Sequence, residues 1–253
     1  MYCFLRPVFL LALGLGAGVC VRAQMTETPV TVQPGHFLLE IDALSLSLDR
    51  NGDDKYTAFG AGLVFLTTGV TRNWDVQVGA QLFLSQDYDR EGVSERDSGV
   101  GDVYLRTKWH VYESATTWTS LALMPYIKIP TNGGVGNDSV EGGLIIPWET
   151  RIWGDVEVAA MAQVDIQRNA ADEGYDTHWY ASAAASRQLT KQIGLYAEAA
   201  IGKSSGGDDR EGVLGGGATY ALSENMWFDL AAYHGLASGA SDWNYVLRFN
   251  LGF

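Results

Sequence analysis

The sequence has few cysteines, few prolines and few basic residues. Its 253 residues include two cysteines, six prolines, and 17 lysines and arginines against 30 acidic residues. Both cysteines, Cys3 and Cys20, lie near the start, and the rest of the chain has no thiol. This argues against a disulfide scaffold, cysteine-ligated metals and a cysteine nucleophile. The net charge of −13 argues against a nucleic-acid partner, because such proteins need a basic face.

Long apolar runs are also scarce, and the clearest is Val8–Val19. A basic start precedes it, and Val21-Arg22-Ala23 places small residues at the −3 and −1 positions of a cleavage site. This tripartite pattern predicts a secretory signal peptide over residues 1–23. Twelve apolar residues are too few for a membrane-spanning helix, which needs about 20. A lipoprotein interpretation of Cys20 is disfavoured because Val19, just before it, is bulky.

What the sequence has instead is alternation with period two, in a chain with 30 glycines and 11% aromatic residues. The clearest example is the C-terminal strand, where apolar and aromatic residues alternate with mostly polar ones. The apolar set is Trp243, Tyr245, Leu247, Phe249, Leu251 and Phe253. Such a strand has one apolar face, which packs on a second sheet in a soluble sandwich or meets lipid in a membrane barrel.

The same alternation predicts twelve strands, most of them about eleven residues long, which is enough to span a bilayer when tilted. They cover residues 36–48, 56–68, 74–86, 99–112, 118–129, 139–148, 153–168, 177–187, 193–203, 212–222, 226–237 and 243–253. Short turns follow the even-numbered strands, and mostly longer, acidic loops follow the odd-numbered ones, as in outer-membrane barrels. We therefore predict an all-β fold, a closed antiparallel transmembrane β-barrel over residues 36–253. An exported β-sandwich is the alternative.

An even strand count places both chain ends on the periplasmic side. We assign residues 24–35 to a periplasmic N-terminal segment, which either lies free in the periplasm or enters the barrel as a plug. Outward faces include Phe59, Ala61, Leu63 and Phe65 in the second strand. Seven tryptophans near strand ends, among them Trp227, suggest interfacial girdles. The apolar phase of the first strand changes, which predicts a β-bulge near Ala43.

Two segments resemble the meta-pathway phenol-degradation family of outer-membrane proteins. Gly99-Val100-Gly101-Asp102 begins one strand, and Ile127-Lys128-Ile129-Pro130-Thr131-Asn132-Gly133 ends the next, with Asn132 inserted before the glycine. The turn Gly69–Asp75 fits the same family's first periplasmic turn. The resemblance spans most of the chain after residue 23 and implies a transport barrel. The phenol in the family's name does not identify this chain's substrate.

The last strand, with its terminal phenylalanine, also resembles the sorting signal that the barrel assembly machinery reads. Trp243, Tyr245, Leu247, Phe249, Leu251 and Phe253 would carry that signal. The resemblance implies the outer membrane of a Gram-negative bacterium as the location. Its expected partners there are outer-membrane lipid, lipopolysaccharide and the assembly machinery, with no nucleic acid.

The predicted strand phases place a set of polar side chains inside the barrel. Charges facing lipid near the bilayer centre would each cost about 2–4 kcal/mol, so an inward orientation is favoured. The predicted lining consists of Arg106, Lys108, His110, Tyr126, Lys128, Glu157, Asp165, Glu198, Asp229 and Arg248. Either these residues fill a narrow interior with salt bridges, or they line a polar conduit for a permeant. More acids than bases face inward, which predicts a mild cation preference or tolerance of neutral solutes.

The function that we expect is a channel or transporter for passive uptake of small organic solutes, with aromatic or hydrophobic ones among them. A non-conducting structural or adhesive barrel is the alternative, and a lipid-modifying enzyme is less favoured. An enzyme needs a histidine beside a nucleophile at the outer rim, and neither His178 nor His234 makes such a motif. The acidic stretch Asp49–Asp54 departs from the calcium-loop pattern at its sixth and twelfth positions. We therefore predict no catalytic residues, no metal site and no cofactor.

Overall fold

The computed structural model describes residues 25–90, 92–136, 138–169, 174–207 and 210–253. The predicted signal peptide, residues 1–23, lies outside these ranges. Within them the chain forms antiparallel strands, and no helix is long and apolar enough to span a membrane. The strands are β1 (Phe37–Asn51), β2 (Asp54–Thr71), β3 (Trp74–Arg90), β4 (Val93–Gly99), β5 (Val103–Ser114), β6 (Thr119–Ile129), β7 (Glu141–Ile152), β8 (Val156–Arg168), β9 (Tyr175–Gln188), β10 (Ile193–Ser204), β11 (Arg210–Ser223), β12 (Met226–Gly235) and β13 (Trp243–Gly252).

The sheet closes on itself, because β1 pairs with β2 on one side and with β13 on the other. Twelve strand positions make the ring, since β4 and β5 share the place beside β3. The second half of β3, Leu84–Arg90, pairs with β4, and its first half, Trp74–Ala80, pairs with β5. The predicted all-β, twelve-stranded closed antiparallel barrel is therefore confirmed. Closure pairs the first strand with the last, which removes the open edge that a sheet in lipid could not tolerate.

The fourth predicted strand, 99–112, begins later in the structure, at Val103, because the chain leaves the sheet between β4 and β5. Val100 donates its backbone N–H to the Gly133 carbonyl at 3.2 Å. A Cβ atom at Gly99 would overlap the same carbonyl oxygen, so the close approach requires glycine there. The two segments that carry the family resemblance thus pack against each other at one end of the barrel.

The first two strands change face part of the way along. In β1 the register with β13 shifts between Asp42 and Leu44, which confirms the predicted bulge near Ala43. In β2, Gly62 has a φ of 68°, a conformation that favours glycine. Beyond it Leu63 and Phe65 line the interior, and Phe65 is only 8% exposed. The prediction that these two residues face lipid is wrong, because it assumed uninterrupted alternation.

Tryptophans lie near both ends of the barrel, but one of them faces inward. Trp179 is 62% exposed on the outer face, and the Trp74 and Trp109 rings lie 6.2 Å apart. Trp227 is only 2% exposed and packs with Leu38 and Ala221. Its inclusion among the outward tryptophans is therefore wrong, because it shares a face of β12 with Asp229.

Candidate functional site: the barrel interior

The N-terminal segment, defined here as residues 25–34, lies inside the barrel. Near the C-terminal end of this segment, Thr31 Oγ1 donates to the carbonyl of Arg72, in the short turn between β2 and β3. Next to it, the Val32 N–H donates to the Asp75 carboxylate at 3.0 Å. At the N-terminal end of the segment, called its upper end below, Met25 packs against Tyr196, Ala231 and Tyr233 of the inner wall. The sequence left open whether this segment lies free in the periplasm or enters the barrel. These contacts correspond to a segment inside the barrel.

Glu198 of β10 holds the upper end of the segment. Its carboxylate accepts hydrogen bonds from the backbone N–H groups of Met25, at 3.1 Å, and Thr26, at 2.5 Å. Tyr233 donates its hydroxyl to the other carboxylate oxygen at 2.6 Å. Thr26 Oγ1 lies 2.7 Å from Ser182 Oγ on β9. Glu198 is 1% exposed, and hydrogen bonds to a buried charge are among the stronger polar contacts in proteins.

Glu27 connects the segment to a different part of the wall. Its carboxylate lies 3.3 Å from Arg106 Nη1 and 3.8 Å from Lys108 Nζ, both on β5. Lys108 Nζ also donates to the Val30 carbonyl at 3.4 Å. Because β5 and β10 are separated by four strands in the sheet, the segment spans the interior between them.

A polar chain runs along the inner faces of β6, β8, β9 and β11. Tyr126 donates its hydroxyl to Asp165 at 2.7 Å, and the same carboxylate lies 3.3 Å from His178 Nδ1. The other imidazole nitrogen of His178 lies 3.2 Å from Glu211 Oε1. These contacts link side chains on four strands of the inner wall.

Ion pairs and hydrogen bonds also engage the other inward charges. Arg248 makes a two-point contact with Asp42, at 2.5 and 3.2 Å. Lys128 lies between Asp102, at 2.9 Å, and Glu141, at 2.8 Å. The remaining contact is between Asp229 and the Tyr196 hydroxyl, at 2.9 Å. The acids of the wall are therefore engaged by neighbouring wall residues, which lowers the cost of burying them.

The ten predicted lining residues all lie on inward faces of their strands. Arg106, Tyr126, Asp229 and Arg248 border an internal cavity. His110 and Glu157 lie toward the end of the barrel that has the short turns, where Glu157 pairs with Arg151 at 2.5 Å. The other members, Lys108, Lys128, Asp165 and Glu198, make the contacts given above. Sequence reasoning missed Glu27 and Met25, because residues 25–34 show no strand alternation that could have placed them.

Two cavities adjoin the N-terminal segment within the part of the chain that the structure describes. The outer one, about 370 Å³, is bordered by Tyr180, Glu211, Tyr233 and the loop residues Gly239–Ser241. The inner one, about 330 Å³, has a mixed lining of aromatic and apolar side chains, uncharged polar side chains and five charged residues. Its lining includes Phe65, Tyr104, Arg106, Tyr126, Ile145, Met161 and Trp227. Both border Met25 and Arg248. No group of three or more His, Asp or Glu side chains in the described ranges could hold a metal ion.

Glycines on neighbouring strands make room for the inward tyrosine and phenylalanine rings. A Cβ atom at Gly217 of β11 would overlap the Tyr196 hydroxyl oxygen and crowd the Leu230 carbonyl, 2.5 Å away. A Cβ atom at Gly79 of β3 would overlap the Phe65 ring. The glycine content of the chain is therefore used partly for packing in the lumen rather than only for turns.

A closed twelve-stranded barrel with apolar residues outside and charged and aromatic residues inside defines an outer-membrane β-barrel protein. The model of the family described as "Putative MetA-pathway of phenol degradation" matches residues 22–253, and the chain belongs to this family. The resemblance that the sequence motifs indicated is confirmed.

Solved structures with the same fold include several channels. The COG4313 outer membrane channel from Pseudomonas putida F1 superposes with a TM-score of 0.67 at 12% identity, over 93% of this chain and 100% of that one. The CymD monoaromatic hydrocarbon channel gives 0.51 at 9% identity, over 87% and 88%. The KdgM porin, solved with oligogalacturonate, gives 0.52 at 9% identity, over 86% and 99%. At these identities the likeness shows the fold. No curated protein matches the chain significantly.

Proposed function

We propose that this protein is an outer-membrane channel for passive entry of small organic solutes with apolar bodies, aromatic or hydrophobic ones among them. The observation that carries the proposal is the pair of cavities inside the barrel, about 370 and 330 Å³, which meet at Met25 and Arg248. Side chains that only stabilised the barrel would not need to leave such cavities. The volumes of these two are within the range of pockets that bind small molecules, at its lower end.

The lining chemistry supports organic solutes with an apolar body rather than small inorganic ions. The inner cavity combines the rings of Phe65, Tyr104 and Tyr126 with the apolar side chains of Ile145 and Met161. Pockets that bind small organic molecules combine apolar surfaces of this kind with polar groups that orient the ligand, and the charged residues of this lining include Arg106 and Arg248. The outer cavity offers the Tyr180 and Tyr233 rings beside Glu211.

The related structures agree with this proposal. Outer-membrane channels share the fold, and one of them is named for monoaromatic hydrocarbons. The proposed location is the outer membrane of a Gram-negative bacterium, with lipid and lipopolysaccharide around the barrel. The outward residues of β13, from Trp243 to Leu251, together with the terminal Phe253, would be read by the barrel assembly machinery.

The route that we propose passes the tip of the N-terminal segment. A solute that moves from the outer cavity to the inner one must pass Met25, which borders both. Met25 also lies 3.6 Å, through its sulfur, from the Tyr180 hydroxyl. Because methionine is flexible, this contact can yield without a change in the sheet.

Refolded protein in planar bilayers and liposomes tests the proposal. We expect discrete conductance steps and influx of benzyl alcohol, a small solute with an apolar body and one polar group. Met25→Trp should reduce both by narrowing the passage. Met226→Trp is the matched control, because Met226 begins β12 and pairs with Leu251 on the outer face. Absence of steps and of influx in the wild type would overturn the proposal in favour of a non-conducting structural or adhesive barrel.

A further inference from the structure

Arg106 occupies an unusual position in the inner cavity. Its guanidinium carbon lies 4.2 Å from the centroid of the Phe65 ring, 5.4 Å from that of Tyr104 and 5.8 Å from that of Tyr126. The three rings border the same cavity as Arg106. A guanidinium held against ring faces is fixed in orientation and gains cation–π attraction, while its edge stays available for hydrogen bonding.

The polar partners of Arg106 and its neighbour Lys108 come from the N-terminal segment. Within the described residues, the Arg106 side chain pairs with Glu27, and Lys108 contacts Glu27 and the Val30 carbonyl. The Arg106 Nε atom is buried and has no hydrogen-bond partner among them. Leaving a buried donor unsatisfied is costly, so the resting arrangement does not use this cation fully.

Other charged residues of the wall differ in this respect. Asp42 is paired with Arg248, and Asp165 accepts a hydrogen bond from Tyr126, so each has a partner on the barrel itself. Both cations of β5 instead contact the carboxylate of Glu27, whose backbone is not part of the sheet. The barrel therefore holds Arg106 and Lys108 in place, and the carboxylate of a permeant can bind to them.

We propose that Arg106, with Lys108 beside it, is a carboxylate-binding subsite, and that the permeants of this channel include small aromatic monocarboxylates. The carboxylate of the permeant takes the place of Glu27, and its ring packs against Phe65, Tyr104 and Tyr126. Guanidinium groups match the planar geometry of carboxylates, and the aromatic lining favours a flat apolar body. This inference rests on the proposed channel function and names a substrate class for it.

The first test compares benzoate with benzyl alcohol, which has a similar ring but no charge. Binding is measured by calorimetry on the full chain in detergent, and influx is measured in liposomes. We expect Arg106→Gln to weaken benzoate binding, and to lower the benzoate-to-benzyl-alcohol influx ratio, by about tenfold or more. Arg187→Gln is the control, because Arg187 is an exposed residue paired with Asp155. It should leave the ratio unchanged.

A second variant tests the competition with Glu27. Glu27→Gln removes the competing charge, so benzoate should bind more tightly, by about tenfold. Arg106→Lys keeps the charge but loses the planar fork, and it should fall between the wild type and Arg106→Gln. Heat-modifiability gels check that each variant forms a barrel.

Each outcome decides one of the two proposals. Benzyl alcohol influx without benzoate binding, or benzoate binding that Arg106→Gln leaves unchanged, would overturn the carboxylate subsite and leave the channel standing. Weaker benzoate binding in Glu27→Gln would overturn the competition. Absence of influx for both solutes would instead overturn the channel function itself.

Discussion

Glu198 and Thr26 are 172 positions apart in the chain, and the Thr26 N–H donates to the Glu198 carboxylate at 2.5 Å in the middle of the barrel. The same carboxylate accepts from the Met25 N–H and from the Tyr233 hydroxyl. One buried acid thus joins the N-terminal segment to the inner wall, and its removal should act on the segment before it acts on the barrel.

We expect Glu198→Ala to loosen the upper end of the N-terminal segment. The backbone N–H groups of Met25 and Thr26 would lose a charged acceptor, a loss of about 1.5–3 kcal/mol for each hydrogen bond. Single-channel conductance in planar bilayers should rise. A cysteine introduced at Thr28 should react faster with a membrane-impermeant thiol reagent, and residues 24–253 contain no native thiol.

Glu95→Ala is the control for this experiment, because Glu95 is exposed on β4 and pairs through its backbone with Tyr88. It should change neither conductance nor labelling. Equal conductance and equal labelling in Glu198→Ala would show that Glu198 does not anchor the segment.

The inward position of Trp227 can be checked by fluorescence. In variants that retain a single tryptophan, brominated lipid should quench Trp179 strongly and Trp227 weakly, because Trp179 is on the outer face and Trp227 is buried inside. Trp227→Ala should also lower the free energy of unfolding by about 3–5 kcal/mol, since it leaves a cavity beside Leu38 and Ala221. Strong quenching of Trp227 would contradict the assigned face of β12.

Lys128→Met should destabilise the barrel substantially. Lys128 lies between the carboxylates of Asp102 and Glu141, so its loss leaves two acids in close proximity without their cation. Removal of one partner of a buried ion pair costs about 3–5 kcal/mol. Urea unfolding in lipid vesicles measures the change, and the double variant Lys128→Met with Asp102→Asn should recover part of it. No recovery would mean that the Asp102 charge is not the cause.

Gly217→Ala tests the packing of glycine against tyrosine in the interior. The added Cβ atom would overlap the Tyr196 hydroxyl oxygen and crowd the Leu230 backbone, so we expect a loss of about 1–3 kcal/mol. Gly174→Ala is the matched control, because the nearest atom to a Cβ there, among the described residues, lies at an ordinary 3.6 Å. Equal thermal midpoints for the two variants on a heat-modifiability gel would refute this account.

Period-two alternation was sufficient to predict the barrel and the bulge in β1. It failed where a local feature reverses the alternation, as for Leu63 and Phe65 after Gly62. A positive φ at a glycine moves the following side chains to the other face, and a glycine within a strand does not reveal its φ in the sequence. The prediction for Trp227 failed for a different reason. It relied on the position of Trp227 near a strand end and did not consider which face of the strand carries the side chain.

The sequence by itself determined what depends on neighbouring residues. The pleat of each strand assigns alternate side chains to opposite faces, so the outward set of β13 from Trp243 to Leu251 can be read from local spacing. Only the tertiary structure decided where the N-terminal segment lies. Its position depends on contacts with Asp75, Arg106 and Glu198, between 43 and 173 residues away along the chain. No periodicity encodes such contacts, because they form only after the barrel closes around the segment.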